Sequence, residues 1–298
     1  MMPRLLLILV LCVASCTRDS RDLTARAREG QPTKRITLGT ALKARGQALP
    51  GDTISADLGD GVQLEFVWIP PGEFMMGSPG SEPGRCVDEG PQHHVTFGQG
   101  FWIGKFEVTQ EQWYSVMGAN PSRSWEEGGR PRKLAPVENV SWYDCQDFCR
   151  VLNGRYMTSS NGYAGITFRL PTEAEWEYAC RARTSSRFCT GNEDNAPDSV
   201  GWYADNSSTV PHTVGQKNPN NWGVYDMHGN VWEWCQDRYG KYSTNITDAN
   251  GEPASRRTRI SRGGSWQDWA QQCRSSTRSE CLPESSDGGM GFRVVASQ

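Results

Sequence analysis

The chain has 298 residues, a formal net charge of −3, 12 Trp and 32 Gly. This length accommodates one large domain or two small ones. Because positive and negative charges nearly balance, the chain provides no basic field, which argues against nucleic acid as a partner. The many tryptophans and glycines indicate a loop-rich fold with aromatic anchors and argue against disorder over most of the length.

The N-terminus has the pattern of a bacterial lipoprotein signal. Arg4 gives a short positive region, residues 5–15 form an apolar run, and small residues stand directly before Cys16. The run is shorter than the about 20 residues that span a bilayer. Cleavage would leave Cys16 as the lipidated first residue, the alternative being an ordinary secretory peptide cut nearby. Either way we expect export. Thr17 stands where an aspartate would favour retention in the inner membrane, so we expect an outer-membrane lipoprotein or a periplasmic protein of a Gram-negative bacterium.

Residues 16–60 are polar and charged with little apolar periodicity, and we interpret them as a tether between the lipid and a domain at 61–298. The domain opens at 62–69, where alternating apolar and polar residues predict a half-buried strand. Further short strands are predicted at 74–77 and within 95–108. These strands lie among long polar loops.

Three predicted helices share one N-terminal device. A hydroxyl residue stands three positions before Gln, Asp or Glu, so that each side chain can bond the other's backbone N–H in a capping box. The pairs are Thr109 with Gln112, Ser141 with Asp144, and Thr172 with Glu175. A few helices among many short strands predict an α+β fold.

The expected export determines how we interpret the cysteines. Apart from the N-terminal region the chain has Cys86, Cys145, Cys149, Cys180, Cys189, Cys235, Cys273 and Cys281. An even number of cysteines in an oxidising compartment most simply means disulfides. The sequence contains no Cys-x-x-Cys motif, so a zinc ribbon or a thioredoxin-like site has no support. The long loops at 189–222 and 239–259 also call for a staple, either a disulfide or a metal ion.

Three motifs in fixed order carry a family resemblance. They are RLPTEAEWEYAC at 169–180, DMHGNVWEWC at 226–235, and RGGSW at 262–266 continuing to GFRVV at 291–295. Together they resemble the formylglycine-generating enzyme (sulfatase-modifying factor) family. The resemblance covers roughly residues 62 to 298 and implies the family's C-type lectin-like fold.

The second motif implies a structural calcium site. By position, the ligands would be the side chains of Asp226 and Glu233 and the carbonyl oxygens of Gly229 and Val231. Calcium prefers six to eight such oxygen ligands. The alternative is that the two acids only cap a turn. The family's other, longer acidic calcium loop has no counterpart at 204–215.

The third motif places the family's chemistry in question. In the resembling oxidases, residues matching Trp232 and Ser265 line an oxygen pocket, although they also serve the fold. Two cysteines follow the serine by three and eight residues, and soft thiolates suit Cu(I) and a covalently held substrate. Counted forward these positions are Asp268 and Cys273, whereas a count back from Gly291 puts Ala270 at the second. Neither count yields the pair.

The resemblance also bears on disulfides. It implies that Cys180 pairs with Cys273, leaving a free reactive thiol at Cys273 as the alternative. Cys149 matches a bridged family cysteine whose partner position holds Val294 here. Cys149 and Cys145 lie four residues apart and could reach several of the remaining cysteines, so the sequence leaves their pairing open.

We therefore expect a lipid-anchored binding or scaffold protein, either an envelope or type VI secretion accessory protein or a surface ligand-binding protein. A protein or surface ligand would dock on the C-terminal loop face, with Trp269 as its anchor. The predicted face comprises Gln267, Asp268, Trp269, Gln271, Gln272 and Glu280. The alternative is a copper-dependent formylglycine-generating or other periplasmic tailoring oxidase, with Cys273, Ser265 and Trp232 as catalytic candidates. A sugar-binding lectin is not favoured, because the chain lacks the Glu-Pro-Asn or Gln-Pro-Asp calcium signature of that class.

Overall fold

The computed structural model describes residues 36–37, 48–124, 126–127, 130–157, 166–242 and 257–297. The predicted signal sequence, the lipidated Cys16 and most of the predicted tether lie outside these residues. Among the residues described, no helix is both long and apolar enough to cross a membrane.

The larger sheet has six strands. In chain order they are β1 (Ile36–Thr37), β2 (Thr53–Gly59), β3 (Val62–Ile69), β6 (Phe101–Gly104), β9 (Thr167–Arg169) and β14 (Val295–Ser297). Their order across the sheet is β1-β2-β3-β6-β14-β9, and only the β1–β2 pairing is parallel. The alternation at 62–69 therefore did predict a strand, whose residues Leu64, Phe66 and Ile69 are buried.

Strand β2 corrects the tether prediction. Residues 53–59 were assigned to the tether, but they pair antiparallel with β3. Ile54, Ala56 and Leu58 alternate along this strand and are buried in the core. Because successive side chains of a strand point to opposite faces of the sheet, these three apolar residues lie on one face and anchor the strand in the core.

Three smaller sheets complete the described β structure. The second sheet has the order β12-β11-β10-β13, and β4 with β5 and β7 with β8 form two-stranded sheets. The bounds are β4 Gly72–Met76, β5 His93–Phe97, β7 Glu126–Glu127, β8 Arg130–Pro131, β10 Trp232–Arg238, β11 Arg259–Arg262, β12 Arg278–Cys281 and β13 Met290–Gly291. The second sheet carries the second and third sequence motifs.

All three capping boxes are confirmed. Helix α1 is Gln110–Met117, α2 is Trp142–Met157 and α3 is Glu173–Arg181. The third-residue N–H of each helix donates to the preceding hydroxyl at 3.2 Å, from Gln112 to Thr109, from Asp144 to Ser141 and from Glu175 to Thr172. The reciprocal bonds to the hydroxyl residues' own N–H groups are 2.8–2.9 Å long. Each pair therefore satisfies two backbone donors that the first turn leaves open.

Helix α3 is buried on all sides. Trp176, Ala179 and Cys180 contribute to one apolar cluster with strands β3 and β6. Its glutamates are buried as well, because each carboxylate is bound by donors from other segments. Glu177 accepts from Gly77 N at 2.9 Å and from Arg181 Nε at 2.8 Å, and it also pairs with Arg262. The first motif thus positions charges in the interior.

Buried guanidinium–carboxylate pairs connect segments that are distant in sequence. Arg274 binds Glu82 and Glu89, each at 2.6 Å. Arg278 binds Glu173 at 2.5 Å. A buried charge is tolerated only when it is paired and hydrogen-bonded, so these pairs fix the loops that contain them.

One pair joins the two sheets. Arg293 lies between β13 of the second sheet and β14 of the first, and it is fully buried. Its Nε and Nη2 atoms each donate to Glu233 of β10 at 2.6 Å. Its remaining donors reach the carbonyl oxygens of Gly104 and Tyr225, both at 2.9 Å.

We expect Arg293→Met to lower the free energy of unfolding by about 3–5 kcal/mol, because it leaves the Glu233 carboxylate and two carbonyl oxygens without their partner. Urea denaturation followed by tryptophan fluorescence measures this loss. Arg150→Met is the control, since Arg150 forms an exposed pair with Asp147 on α2 and its loss should leave the midpoint unchanged. An unchanged midpoint for Arg293→Met would show that the pair does not hold the sheets together.

Candidate functional site

The turn after β11 presents Ser265 next to Trp232. Gly263 and Gly264 have φ angles of +99° and +73°, which favour glycine. A Cβ at Gly264 would lie 2.6 Å from the sulfur of Cys273, so any side chain at this position would clash with Cys273. Both motif residues expected to line an oxygen pocket are therefore brought together.

Asp268 ties these residues to each other. Its Oδ2 atom accepts hydrogen bonds from the Ser265 hydroxyl at 2.5 Å, from the Ser265 backbone N–H at 3.0 Å and from the Trp232 indole N–H at 2.9 Å. Bonds to a charged acceptor are stronger than those between neutral groups. Asp268 thus occupies the donors of both residues that would otherwise face a small ligand.

Cys273 ends a short 3-10 turn, Ala270–Cys273, and is fully buried beside Phe188 and Tyr203. Burial raises the pKa of its thiol well above the ordinary value, and the negative charge of Asp268 raises it further. A nucleophile or a copper ligand needs the opposite, a stabilised thiolate. The environment of Cys273 therefore opposes its candidate catalytic role.

The structure does not contain the predicted Cys180–Cys273 disulfide, since both residues are free thiols. The imidazole of His228 contacts both of them. Its Nε2 atom lies 3.7 Å from the Cys180 sulfur and accepts from Cys189 N–H at 3.1 Å, while Nδ1 donates to the Cys273 carbonyl oxygen at 2.8 Å. These two hydrogen bonds hold the buried imidazole in place between the segments that carry Cys189 and Cys273.

The two acidic residues of the predicted calcium site lie in different environments. Asp226 is buried, and its Oδ2 accepts from Gly215 N–H at 2.7 Å, but no hydrogen bond reaches its Oδ1 in the described structure. Glu233 is already bound by Arg293 and by the Trp176 indole N–H at 2.8 Å. The open oxygen of Asp226 thus fits a cation, whereas Glu233 has a guanidinium beside it.

A further acid, Glu107, lies beside this group and was missed by sequence reasoning. It accepts from Val231 N–H at 3.0 Å and from the Asn230 amide at 2.6 Å. Burial and the charges of Asp226 and Glu233 raise the pKa of Glu107 well above its ordinary value. Three carboxylates thus lie close to the positive charge of Arg293. Across the described residues, no three His, Cys, Asp or Glu side chains are arranged to hold a metal ion.

The predicted binding face is partly exposed. Gln267, Trp269, Gln271 and Glu280 are exposed, with Trp269 at 63%, whereas Asp268 and Gln272 are half-buried. Including Asp268 was therefore wrong in one respect, because its carboxylate faces inward to Ser265 and Trp232. Its hydrogen bonds require this orientation.

A second loop extends this face, and the sequence did not single it out. Arg274 donates to the carbonyl oxygen of Gly84 at 2.9 Å, and Gln271 does so at 3.1 Å. Val87 of the same loop is 89% exposed. The buried pairs of Arg274 with Glu82 and Glu89 hold the loop against the turn that carries Trp269. Loop and turn are more than 180 residues apart in sequence, so no local pattern predicts their contact.

We expect Asp268→Ala to lower the free energy of unfolding by about 1–3 kcal/mol. The reason is that the Ser265 hydroxyl, the Ser265 backbone N–H and the Trp232 indole N–H lose their hydrogen-bond acceptor. Asp268→Asn keeps an acceptor oxygen and should cost less. Guanidinium denaturation of both variants, with Asp205→Asn as an exposed control, measures the difference. Equal stability of the alanine and wild-type proteins would contradict the network.

Comparisons with known proteins agree with the motifs. The Sulfatase-modifying factor enzyme 1-like domain family matches residues 60–298. The chaperone protein LppX of Paenibacillus barcinonensis is 34% identical over 56% of this chain and 69% of its own length. The formylglycine-generating enzyme of Streptomyces coelicolor is 32% identical over 61% of this chain and 60% of its own. The mouse inactive C-alpha-formylglycine-generating enzyme 2 is 31% identical over 57% and 52%. The chain thus spans between half and about two thirds of these three relatives.

Two solved structures share the fold. Treponema denticola variable protein 1 superimposes with a TM-score of 0.72 at 29% identity, covering 82% of this chain and 98% of that one. PvdO from Pseudomonas aeruginosa gives 0.70 at 27% identity, covering 84% and 99%. The predicted α+β fold of the formylglycine-generating-enzyme type is therefore confirmed. The chain belongs to the formylglycine-generating-enzyme-like family with a sulfatase-modifying factor domain.

Proposed function

We propose that this domain binds a protein or surface ligand through its C-terminal loop face and does not act as an oxidase. The observation that carries the proposal is the Asp268 network. Counted forward from Ser265, a hard carboxylate stands where the resembling oxidases have their first thiolate, and it engages both Ser265 and Trp232. Copper(I) prefers soft sulfur ligands, so this carboxylate is a poor replacement.

The face itself has features of a binding surface. Trp269 is exposed beside the polar side chains of Gln267 and Gln271. Large aromatic residues give most of the binding energy at many interfaces. The segment beneath is held by the Arg274 pairs, which limits the conformational entropy that binding would cost.

We further propose that the chain is exported and attached to the membrane through Cys16. The N-terminal pattern of Arg4, the apolar run and the small residues before Cys16 supports this. An anchored domain with a long polar segment could present its loop face to an envelope partner.

A copper-dependent oxidase is the second candidate function. One observation favours it: Ser265 and Trp232 lie next to each other, joined through one atom of Asp268. Against it stands the buried thiol of Cys273, whose pKa is raised. Similarity to formylglycine-generating enzymes makes the comparison worth testing directly.

The two functions are separated by one pair of measurements. A photo-crosslinking amino acid is placed at Gln267 and Gln271, and at Tyr114 of α1 as a matched exposed control, in the full-length chain in its own cells. We expect one discrete adduct at both face positions and none at Tyr114. Purified protein with Cu(I), dioxygen and a Cys-x-Pro-x-Arg peptide should leave the peptide cysteine unchanged. Turnover of the peptide would overturn the proposal, as would adducts of equal yield at all three positions.

A structural calcium ion near Asp226, held also by the carbonyl oxygens of Gly229 and Val231, is a separate proposal. The open Oδ1 atom of Asp226 supports it, whereas the Glu233–Arg293 pair argues against the predicted role of Glu233. Bound calcium would offset the surplus negative charge of Asp226 and Glu107, which otherwise favours protonation.

We expect calcium to raise the melting temperature at pH 7.5 and to raise it less at pH 5. Burial raises the pKa of Asp226 from 3.8 to about 6, so below pH 6 a proton competes for the same oxygen. Without calcium, the same shift means that the fold loses stability as pH rises from about 4 to 6. Thermal scans with calcium and with EDTA measure both effects. Asp226→Asn should abolish the calcium response and Asp205→Asn should retain it; a response unaffected by Asp226→Asn would place the ion elsewhere.

A further inference from the structure

Two arginines lie opposite each other on the second sheet. Arg238 of β10 and Arg259 of β11 are Cα partners in the antiparallel pairing of these strands. Side chains at such positions share one face of the sheet with their Cβ atoms about 4.5–5.5 Å apart, and like charges there are destabilising. This face is turned towards α2, because the Gln146 amide of that helix donates to the side chain of Gln236, two residues before Arg238, at 2.9 Å. The two positive charges are therefore crowded on one surface beside α2.

The described structure places no carboxylate at ion-pair distance from either arginine. Asp237, next to Arg238, points to the opposite face, where its Oδ2 atom accepts from Glu173 N–H of α3 at 2.7 Å. In the part of the chain described, Arg238 has no hydrogen bond or ion pair, and Arg259 donates only to the Gln236 carbonyl oxygen, at 2.9 Å. Burial and the charge of Arg238 lower the pKa of the Arg259 guanidinium, whereas an ion pair would raise it.

Aromatic side chains at the start of α2 hold one guanidinium in place. The Arg259 guanidinium lies over the Trp142 ring, 3.8 Å from its centroid, and Tyr143 meets Trp142 edge-on with the ring centroids 5.6 Å apart. Stacking fixes the plane of the guanidinium and leaves the N–H groups at its edge available as donors. Arg238 is exposed, Arg259 is half-buried and Tyr143 is 53% exposed, so a solute can reach these groups directly.

The acids in the first turns of α2 are bound by other groups. Asp144 Oδ2 accepts from the Ser141 hydroxyl at 2.6 Å and from Ser141 N–H at 2.9 Å, within the capping box. Asp147 pairs with Arg150 of the same helix at 3.0 Å. Each of these carboxylates thus has its own partner, and the positive charge of the two opposed arginines remains for a ligand.

We propose that Arg238 and Arg259 together bind a phosphate monoester. Such a group carries a charge of about −1.5 to −2 at pH 7 and three acceptor oxygens, which suits two adjacent guanidiniums. A carboxylate or a phosphodiester carries one negative charge and would balance only one of them. The site is independent of the proposed binding face, because Glu280 of that face pairs with Ile260, which packs in the apolar cluster on the α3 side of the second sheet.

The test compares small anions on the full-length chain carrying Cys16→Ser, which lacks the proposed site of lipid attachment. Ethyl phosphate, diethyl phosphate and acetate are titrated at pH 7.5 while NMR follows the Nε–H resonances of Arg238 and Arg259. We expect saturable shifts with ethyl phosphate. The two singly charged anions should bind about tenfold more weakly, because they leave one guanidinium unbalanced. Equal binding of all three anions, or no saturable shift with ethyl phosphate, overturns the proposal.

Two variants test the pair in different ways. Arg238→Gln removes one charge from an exposed position, and Arg259→Lys keeps the charge but loses the planar fork. Each should weaken ethyl phosphate binding about tenfold, and the control Arg183→Gln, at an exposed arginine that follows α3, should not. If Arg259→Lys does not fold, Arg238→Gln decides, since Arg238 has no partner among the described residues to lose. Wild-type binding by a folded Arg238→Gln protein contradicts the assignment.

Vesicles distinguish a soluble ligand from a lipid headgroup. The Cys16→Ser chain is sedimented with vesicles that contain phosphatidic acid, a monoester, or phosphatidylglycerol, a diester. Sedimentation with phosphatidic acid that ethyl phosphate displaces would identify the monoester as a lipid headgroup, whereas no sedimentation with either vesicle would identify it as a soluble molecule. If phosphatidylglycerol vesicles bind through Arg238 while ethyl phosphate causes no shift, the surface is a general membrane contact and the inference is wrong.

Discussion

The bidentate pair between Arg293 and Glu233 is the interaction on which the domain depends. Arg293 stands where the chain passes from the second sheet to the first, and Glu233 lies on β10 of the second. The guanidinium also binds two carbonyl oxygens, so every part of its fork is used. Because a buried charge without a partner is costly, the two sheets are held in one register relative to each other. Loops with little regular structure can then rest on a fixed frame.

The same rule explains the loop face. Arg274 is paired with Glu82 and Glu89, and this brings an early loop against the turn carrying Trp269. Asp268 applies it on a smaller scale, by collecting the donors of Ser265 and Trp232. In both cases the carboxylate fixes a surface element from within. Ser265 and Trp232, which match the family's pocket residues, are thereby held in place by Asp268, and this is the basis for proposing binding over oxidation.

Features set by residues close together in sequence were predicted well, whereas contacts between distant segments could not be predicted from the sequence. Each capping box spans three residues, so Thr109, Ser141 and Thr172 could be identified from the sequence and their bonds are present. Strand β2 was assigned to the tether because three alternating apolar residues are a weak signal within a polar segment. Glu107 was missed because nothing near it in sequence marks a buried acid. The Cys180–Cys273 pairing came from family resemblance, and here His228 contacts both residues.

Strand β14 has a consequence for how this protein acquires its structure. It follows every other strand in the chain, yet it lies between β6 and β9 inside the six-stranded sheet. The sheet therefore cannot close during synthesis until residues 295–297 are available, and the edges of β6 and β9 that pair with β14 stay open until then. Deletion of residues 295–297 would remove an interior strand of this sheet and would separate β9 from β6. Such a topology delays cooperative folding, because the pairing of β14 with β6 joins residues that are far apart in sequence.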